Sequence, residues 1–339
     1  MTLPRVGVVG GGSHIFAVAH APALASLGAE VVALYDPVRA NVDVVGGRFG
    51  WPVVDDVEGV LKSGADLIVI CAPHPAHAEL IMRFVSAGRD VLVEKPIAPR
   101  LSEIDAVEDA VSTSGRTVAV VHQHRLRDEV IAARQVIASG ALGRIRRAVV
   151  VASYPKRSVY YTDTAWRGTW QGEGGGVLLN QGLHDVDLLV HLLGRPARTS
   201  ARLRTVLHPI ETEDTADLLL EWDDGPTASV HVTSAAVLDG NRLEVHGSNG
   251  ALRLTTSGLE RRDADEDFDD FAAAPGGHFD APPARQWRRA VAAGGGTHTD
   301  VYADVFSAIA DCRAPVVGVP EARTTVEVIA AAALASELR

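Results

Sequence analysis

The chain lacks most of what would tie it covalently or direct it elsewhere. Of 339 residues only two are cysteine, Cys71 and Cys312, so no disulfide framework is implied and a reducing compartment fits. No apolar run reaches the length of about 20 residues that spans a bilayer. The opening MTLPRVGVVG passes straight into a strand-like run without the grammar of a secretory leader. A cytoplasmic location with no membrane partner is expected. Excess positive charge is missing too: the formal net charge is −11, which argues against nucleic acid as a main partner. There is no internal repeat. What remains is an ordinary globular composition, 47% hydrophobic and 22% charged, long enough for roughly two domains of about 150 residues each.

The first third alternates apolar β-rich runs (5–10, 30–36, 65–72, 89–95 and 116–122) with stretches of helical length such as 77–88 and 102–115. That alternation predicts βαβ units around a parallel sheet covered on both faces. Ser102 with Asp105 reads as a helix start, and Gly88 and Gly115 as helix ends. From about residue 123 the grammar changes. A helix over 127–143 precedes strand-like runs at 145–154, 215–223, 227–235, 241–248 and 251–256. The turn residues of WDDGPT (222–227) and GSNGA (247–251) predict antiparallel pairing of their neighbours. The acidic 261–278 reads as a solvated loop, and 284–293, 299–311 and 321–337 as helices. The expected fold is therefore α/β: an N-terminal Rossmann domain over 1–122, then an α+β domain over 123–339 with a large open, mostly antiparallel sheet for substrate binding and oligomerisation.

Between the first strand and the helix that follows, GVVGGGSHIFA (7–17) carries Gly10 and Gly12. Such a pair permits a tight turn and close backbone approach to a pyrophosphate, with helix N–H groups from Ser13 to Ile15 aimed at the anion. A third glycine is missing, Ile15 holding its place. The second strand ends in Asp36, where a carboxylate accepts from a ribose 2′-hydroxyl and repels a 2′-phosphate. NAD is thus expected over NADP, with Arg39 near enough to soften the preference.

WRGTWQGEGGGVLLNQGLHDVD (166–187) spaces Asn180, His184 and Asp187 by four and three residues, placing an amide, an imidazole and a carboxylate on one helix face. Gly174, Gly175 and Gly176 before them let chain and ligand approach closely. HxH at 122–124 and the pair His74 and His77 lack a third ligand in sequence, so no metal is expected.

VLVEKPIAPRLSEIDAVEDA (91–110) resembles the Glu-Lys-Pro motif of the Gfo/Idh/MocA family, the glucose–fructose oxidoreductase and inositol dehydrogenase group. CAPHPAHAELIMRFVSAGRDVLVEKP (71–96), GALGRIR (140–146), YYTDTAWRGTWQGEGGGVLLNQGLHDVDLLVHLLGRP (160–196) and PVVGVPEARTTVEVIAAAALAS (315–336) are similar to further family segments. The resemblance implies hydride transfer between a nicotinamide and a ring carbinol carbon, with Lys95 and His184 as the catalytic residues. Many relatives have aspartate where this chain has Asn180, which leaves open which of Lys95 and His184 is the principal base. It further implies Asn180, Asp187, Tyr161 and Trp170 near substrate. Around the cofactor it implies Gly10, Gly12, Ser13, His14, Ile15, Asp36, Arg39, Ala72, Pro73, His74, His77, Glu94, Lys95, Gln123, Trp166 and Arg167. The implied partner is a small sugar, glycoside or cyclitol, in a homo-oligomer built through the second domain's sheet. Two other readings stay open: a redox-neutral NAD-dependent glycosidase, and a non-catalytic ligand-binding relative.

Overall fold

A computed structural model describes residues 3–223, 225–238, 240–278, 280–282 and 285–336. By internal packing the chain divides into two units. One comprises Met1–Gln123, Trp170–Gly174 and Thr297–Val326, the other His124–Thr169, Gly175–Gly296 and Glu327–Arg339.

The first unit holds a five-stranded parallel sheet of β1 (Val6–Val9), β2 (Val31–Tyr35), β3 (Leu67–Ile70), β4 (Asp90–Val93) and β5 (Val118–Val120), in the order β2-β1-β3-β4-β5. Every residue of β1 and β3 is buried, as strands covered by helices on both faces require. The helices include His77–Ser86 and Leu101–Ser114. The second of these starts one residue before the expected Ser102, and the Glu103 carboxylate accepts the Arg100 N–H at 3.2 Å. It ends at Gly115 in the left-handed conformation, as expected. Val317, Val319, Ala322 and Val326 complete this unit's core.

The second unit is built on an eight-stranded sheet in the order β13-β12-β11-β10-β6-β9-β8-β7. Its strands are β6 (Ile145–Ser153), β7 (Arg198–Arg204), β8 (Thr215–Glu221), β9 (Thr227–Thr233), β10 (Arg242–Gly247), β11 (Gly250–Thr255), β12 (Gly258–Asp263) and β13 (Arg288–Ala292). All neighbours pair antiparallel except β6 with β9, which run parallel. Helices Asp128–Ala138 and Leu183–Leu193 contribute Val130, Ala133, Val186 and Leu189 to its core.

Three expectations change. The segment 284–293 is not helical: Arg288–Ala292 is an edge strand paired to β12, tertiary hydrogen bonding overriding local propensity; Ala284 lies outside the described residues. The 261–278 segment is not simply a loop, because it contains the end of β12 and a short helix, Phe268–Ala273, capped by Asp267. The last helix is Val319–Ala335, and the expected terminal residue Glu337 lies outside the described residues.

Candidate functional site

Within the first unit, β1 is followed by Gly10, which has φ 84° and begins the turn towards the next helix. A Cβ there would lie 2.4 Å from the backbone carbon of Cys71, and one on Gly12 would lie 2.7 Å from Asn41 Cβ. The fold therefore demands bare backbone at both positions. Ser13 Oγ accepts the Phe16 N–H at 3.3 Å and starts the helix, whose first turns adopt a wide π-type winding over Phe16–His20. Ile15, at the third glycine position, is 38% exposed and so does not obstruct packing of the helix on the sheet.

Asp36 caps this loop from the end of β2. Its Oδ2 accepts the Gly12 N–H at 3.0 Å and its Oδ1 the Val38 N–H at 2.9 Å, leaving each oxygen a further lone pair for a hydroxyl. Arg39 turns to other carboxylates, Asp43 at 2.8 Å and Asp55 at 2.6 Å. The glycine loop, the helix start and this acceptor carboxylate have the donor and acceptor chemistry that a nicotinamide dinucleotide requires.

The carboxyl ends of β3 and β4 carry Ala72, Pro73, His74, His77, Glu94 and Lys95. His77 is fully buried with Nδ1 2.7 Å from Pro96 O and Nε2 2.8 Å from Ala72 O. It straps the two strand ends together through their backbones. His74 Nδ1 lies 3.1 Å from Glu173 O, and burial, with the charges of His77 and Lys95, lowers its pKa to about 3. Its ring is therefore neutral at working pH.

Glu94 sits in a relay that sequence reasoning did not find. Its Oε1 is 3.0 Å from His20 Nε2 and 3.5 Å from His298 Nε2, while Oε2 accepts the Lys95 N–H at 3.0 Å. His20 Nδ1 is 2.8 Å from the buried Tyr302 hydroxyl. A carboxylate only accepts, so His20 donates from Nε2 and its Nδ1 accepts from Tyr302. Burial alone would raise the Glu94 pKa. The bond from His20, the approach of His298 and the charge of Lys95 outweigh that and hold the carboxyl well below its usual range. Burial lowers the His20 pKa, keeping that ring neutral. The His20, Glu94 and His298 ligand atoms lie within 4.8 Å of one another, a grouping that could hold a cation; the hydrogen bonds satisfy His20 without one. Gln123 opens a short 3-10 turn after β5, and Trp170, in the 170–174 turn, is 40% exposed.

The second unit gathers the other candidates. The expected single helix is interrupted: Val177–Asn180 and Leu183–Leu193 are separate pieces. The Gly182 N–H reaches Val177 O at 2.8 Å, a five-residue loop of π type. A Cβ on Gly182 would lie 2.8 Å from Val232, so close approach of β9 requires glycine. Asn180 thus sits on a turn of its own, while His184 and Asp187 remain on the second helix.

The three polar groups also have different neighbours. Asp187 is consumed by Arg125, which donates from Nε at 2.9 Å and Nη2 at 2.7 Å, both side chains being buried. The His184 ring stacks on His124, centroids 4.5 Å apart. Arg127 donates to His124 Nε2 at 3.1 Å, which leaves the His124 proton on Nδ1. Asn180 Nδ2 and Gln181 Nε2 approach the Tyr160 hydroxyl at 3.5 and 3.1 Å, and Arg167 donates to the same oxygen. Trp166 lies beneath the Arg167 guanidinium at 4.4 Å. Tyr161 is buried, its hydroxyl 2.9 Å from Ser234 Oγ.

The glycines leading into the first helical piece are held by Glu213. Its carboxylate accepts from Gly176 N at 3.0 and 3.1 Å and Leu178 N at 3.0 Å, and its carbonyl accepts from Val177 N at 2.9 Å. Arg125, Tyr160 and Glu213 were not anticipated. The first two stand beside residues that were, in VHQHRL and YYTDTAW. Glu213 carried no local signal.

Residues 4–122 match the family model described as oxidoreductase family, NAD-binding Rossmann fold, and residues 130–253 match that of the GFO/IDH/MocA C-terminal domain. Inositol 2-dehydrogenase of Rhizobium meliloti (strain 1021) is 28% identical over 257 residues, covering 73% of this chain and 74% of that protein. The scyllo-inositol 2-dehydrogenase (NADP(+)) IolW of Bacillus subtilis (strain 168) is 25% identical, covering 59% of this chain and 55% of that protein. The solved WlbA dehydrogenase from Bordetella pertussis, in complex with NADH and UDP-GlcNAcA, superposes with a TM-score of 0.83 at 25% identity, covering 98% of this chain and 96% of that one. No helix among the described residues is long and apolar enough to cross a membrane.

Proposed function

The chain belongs to the Gfo/Idh/MocA family of NAD(P)-binding oxidoreductases, and on that footing we propose that it is an NAD-dependent dehydrogenase acting on a secondary alcohol or ketone of a sugar, glycoside or cyclitol. The observation that carries this reading is the Glu94-Lys95-Pro96 run at the carboxyl end of β4, in the same unit as the dinucleotide loop and with Glu94 anchored by His20. Relatives named as inositol dehydrogenases support the substrate class.

The nicotinamide, when bound, supplies or accepts the hydride. Gly10, Gly12 and the Ser13–Ile15 turn hold the pyrophosphate, and Ala72, Pro73 and His74 line the loop beside it. Asp36 accepts from the ribose hydroxyls. Because Arg39 is neutralised by Asp43 and Asp55, the negative charge of Asp36 stays effective against a 2′-phosphate, which favours NAD over NADP. His77 and Glu94 act as positioning residues, one through the loop backbone and the other through the Lys95 N–H.

Lys95 and His184 handle the proton of the reacting hydroxyl. The neutral amide of Asn180 gives His184 no charge to stabilise an imidazolium, so the proton is shared out between Lys95 and His184 without a carboxylate at that position beside the ring. Asp187 orients this region through Arg125, and Tyr161 supports it from below the surface. Residues 1–122, joined by 170–174 and 297–326, form the cofactor domain and the rest of 123–339 the substrate domain, whose sheet mediates self-association.

The test is to mix the protein with NAD+ and a panel of hexoses, inositols and glycosides and to follow NADH absorbance. A substrate-dependent rise should fall about 100-fold or more in Lys95→Ala, the usual loss for a general base, and fall also in His184→Ala. Silence with every substrate despite NADH binding would overturn the reading. Glycoside cleavage without net NADH would replace it with the redox-neutral glycosidase.

A further inference from the structure

Glu94 divides its two oxygens between different neighbours. Oε2 accepts the Lys95 N–H at 3.0 Å, while Oε1 faces two imidazoles, His20 Nε2 at 3.0 Å and His298 Nε2 at 3.5 Å. All three side chains belong to the first unit but come from distant parts of the sequence. His20 closes the wide π-type winding Phe16–His20, an irregularity that is frequent at functional sites. His298 opens the helix His298–Ala310, and Tyr302, one turn further along the same face, puts its hydroxyl 2.8 Å from His20 Nδ1. The two imidazoles meet edge to face with centroids 4.5 Å apart. Among the described residues, no other three His, Cys, Asp or Glu side chains bring their ligand atoms within 4.8 Å of one another.

Hydrogen bonding accounts for only part of this arrangement. It satisfies both nitrogens of His20 and both oxygens of Glu94. His298 Nε2, however, is buried and among the described residues has no hydrogen-bond partner, a state that calls for an explanation. By contrast, the neighbouring His77 places both of its nitrogens on backbone carbonyls. The donor set has the chemistry of a metal site. Burial keeps His20 neutral while Glu94 stays ionised, the states a metal requires of such ligands. The spacing agrees too: ligand atoms about 2.0–2.1 Å from a tetrahedral zinc stand about 3.3 Å apart, against 3.0 and 3.5 Å here. Two imidazoles with one carboxylate oxygen suit zinc and similar transition ions better than magnesium or calcium. Supporting groups are in place as well. With Nε2 on the ion, His20 carries its proton on Nδ1, where the Tyr302 oxygen accepts it, and the Lys95 N–H holds the far oxygen of Glu94.

We infer that His20, Glu94 and His298 form a binding site for a divalent transition ion, zinc foremost, with the fourth position left to water. Water reaches it from the side of Glu94 and His298, whose side chains are 10% and 14% exposed. His20, His298 and Tyr302 are not among the residues expected at the dinucleotide, and the ion takes Glu94 by Oε1 while Oε2 keeps Lys95. The inference needs neither a substrate nor the dehydrogenase reading, and binding of the metal alone tests it.

Untagged full-length protein, stripped with EDTA, is titrated with zinc chloride in a calorimeter and with cobalt chloride under visible absorption. His298→Ala, Glu94→Gln, Tyr302→Phe and, as an off-site control, His124→Ala are treated alike, with melting temperatures reporting folding. Wild type should bind one zinc per chain, and magnesium far more weakly. Affinity should fall at least about 10-fold in His298→Ala and Glu94→Gln, and by about 10-fold in Tyr302→Phe, the usual loss when a supporting partner is removed. His124→Ala should bind as wild type does. Bound cobalt should give a visible band that His298→Ala abolishes. Glu94→Gln keeps an acceptor for His20; should it nevertheless fail to fold, His298→Ala, altered at the first residue of its helix, decides alone. No zinc uptake by the wild type would overturn the inference, as would uptake that survives His298→Ala. Loss of binding in His124→Ala with retention in His298→Ala would overturn it too, by moving the ion to the stacked His124 and His184 pair.

Discussion

Arg125 meets Asp187 through two parallel bonds, Nε to Oδ2 at 2.9 Å and Nη2 to Oδ1 at 2.7 Å, with 5% and 1% of the respective side chains exposed. Removing one partner strands the other charge in the interior at a cost of about 3–5 kcal/mol. Asp187→Ala should therefore lose several kcal/mol in urea denaturation. Replacing both, as in Arg125→Met with Asp187→Leu, should recover most of that loss. Equal destabilisation by the single and double changes would show that the pair does not act as a unit.

Gly182 meets Val232 where a side chain would clash, its ideal Cβ lying 2.8 Å from the valine Cγ1. Gly182→Ala should cost about 1–3 kcal/mol by overpacking. Adding Val232→Ala should return part of it, with a coupling of at least about 0.5 kcal/mol in a double-mutant cycle. Additive effects would mean that β9 does not enforce the helix interruption.

Asp36 is expected to set cofactor choice. Asp36→Asn keeps an acceptor for the Gly12 N–H but removes the charge, so NADH affinity should drop about 10-fold, the loss of roughly one charge-assisted hydrogen bond. The NADH-over-NADPH ratio should narrow with it. Nicotinamide fluorescence titrations with both cofactors measure the two quantities, and an unchanged ratio would remove Asp36 from the discrimination.

Asp185 gives the pH dependence a definite sign. Burial pushes its pKa up to about 6, against a Tyr154 hydroxyl bond at 2.7 Å that pulls it down. The folded state thus prefers the protonated acid. Its contribution is complete below the unfolded value of 3.8 and is lost as pH rises through about 6. Asp185→Asn, which keeps an acceptor for Tyr154, should stabilise the protein at pH 7.5 by about 1–2 kcal/mol, discounted for partial solvent contact. At pH 4 the variant and wild type should melt alike. A gain that is the same at both pH values would locate the effect elsewhere.

Most strands were legible because their signal is local. Buried runs such as LIVI (67–70) and turns such as GSNG (247–250) carry it within a few residues. The edge strand Arg288–Ala292 was not, since its exposed side chains have no period and its identity comes from hydrogen bonds to β12. The dinucleotide loop was readable for the same local reason. Pairings at long range were hidden: Asp187 with Arg125 is 62 residues apart, and His20 with Glu94 is 74. The spacing of Asn180, His184 and Asp187 suggested one stripe, yet the helix breaks between the first two, where Gly182 packs against a valine on a distant strand.

The Glu213 clasp imposes an order in time. The amides of Gly176, Val177 and Leu178 are tied to a residue that follows them by more than thirty positions. During synthesis, the glycine turn and the short helix after it leave the ribosome well before the group that fixes them. At that stage three adjacent N–H donors have only water. The turn ahead of His184 can take its final shape only once the approach to β8 has been made.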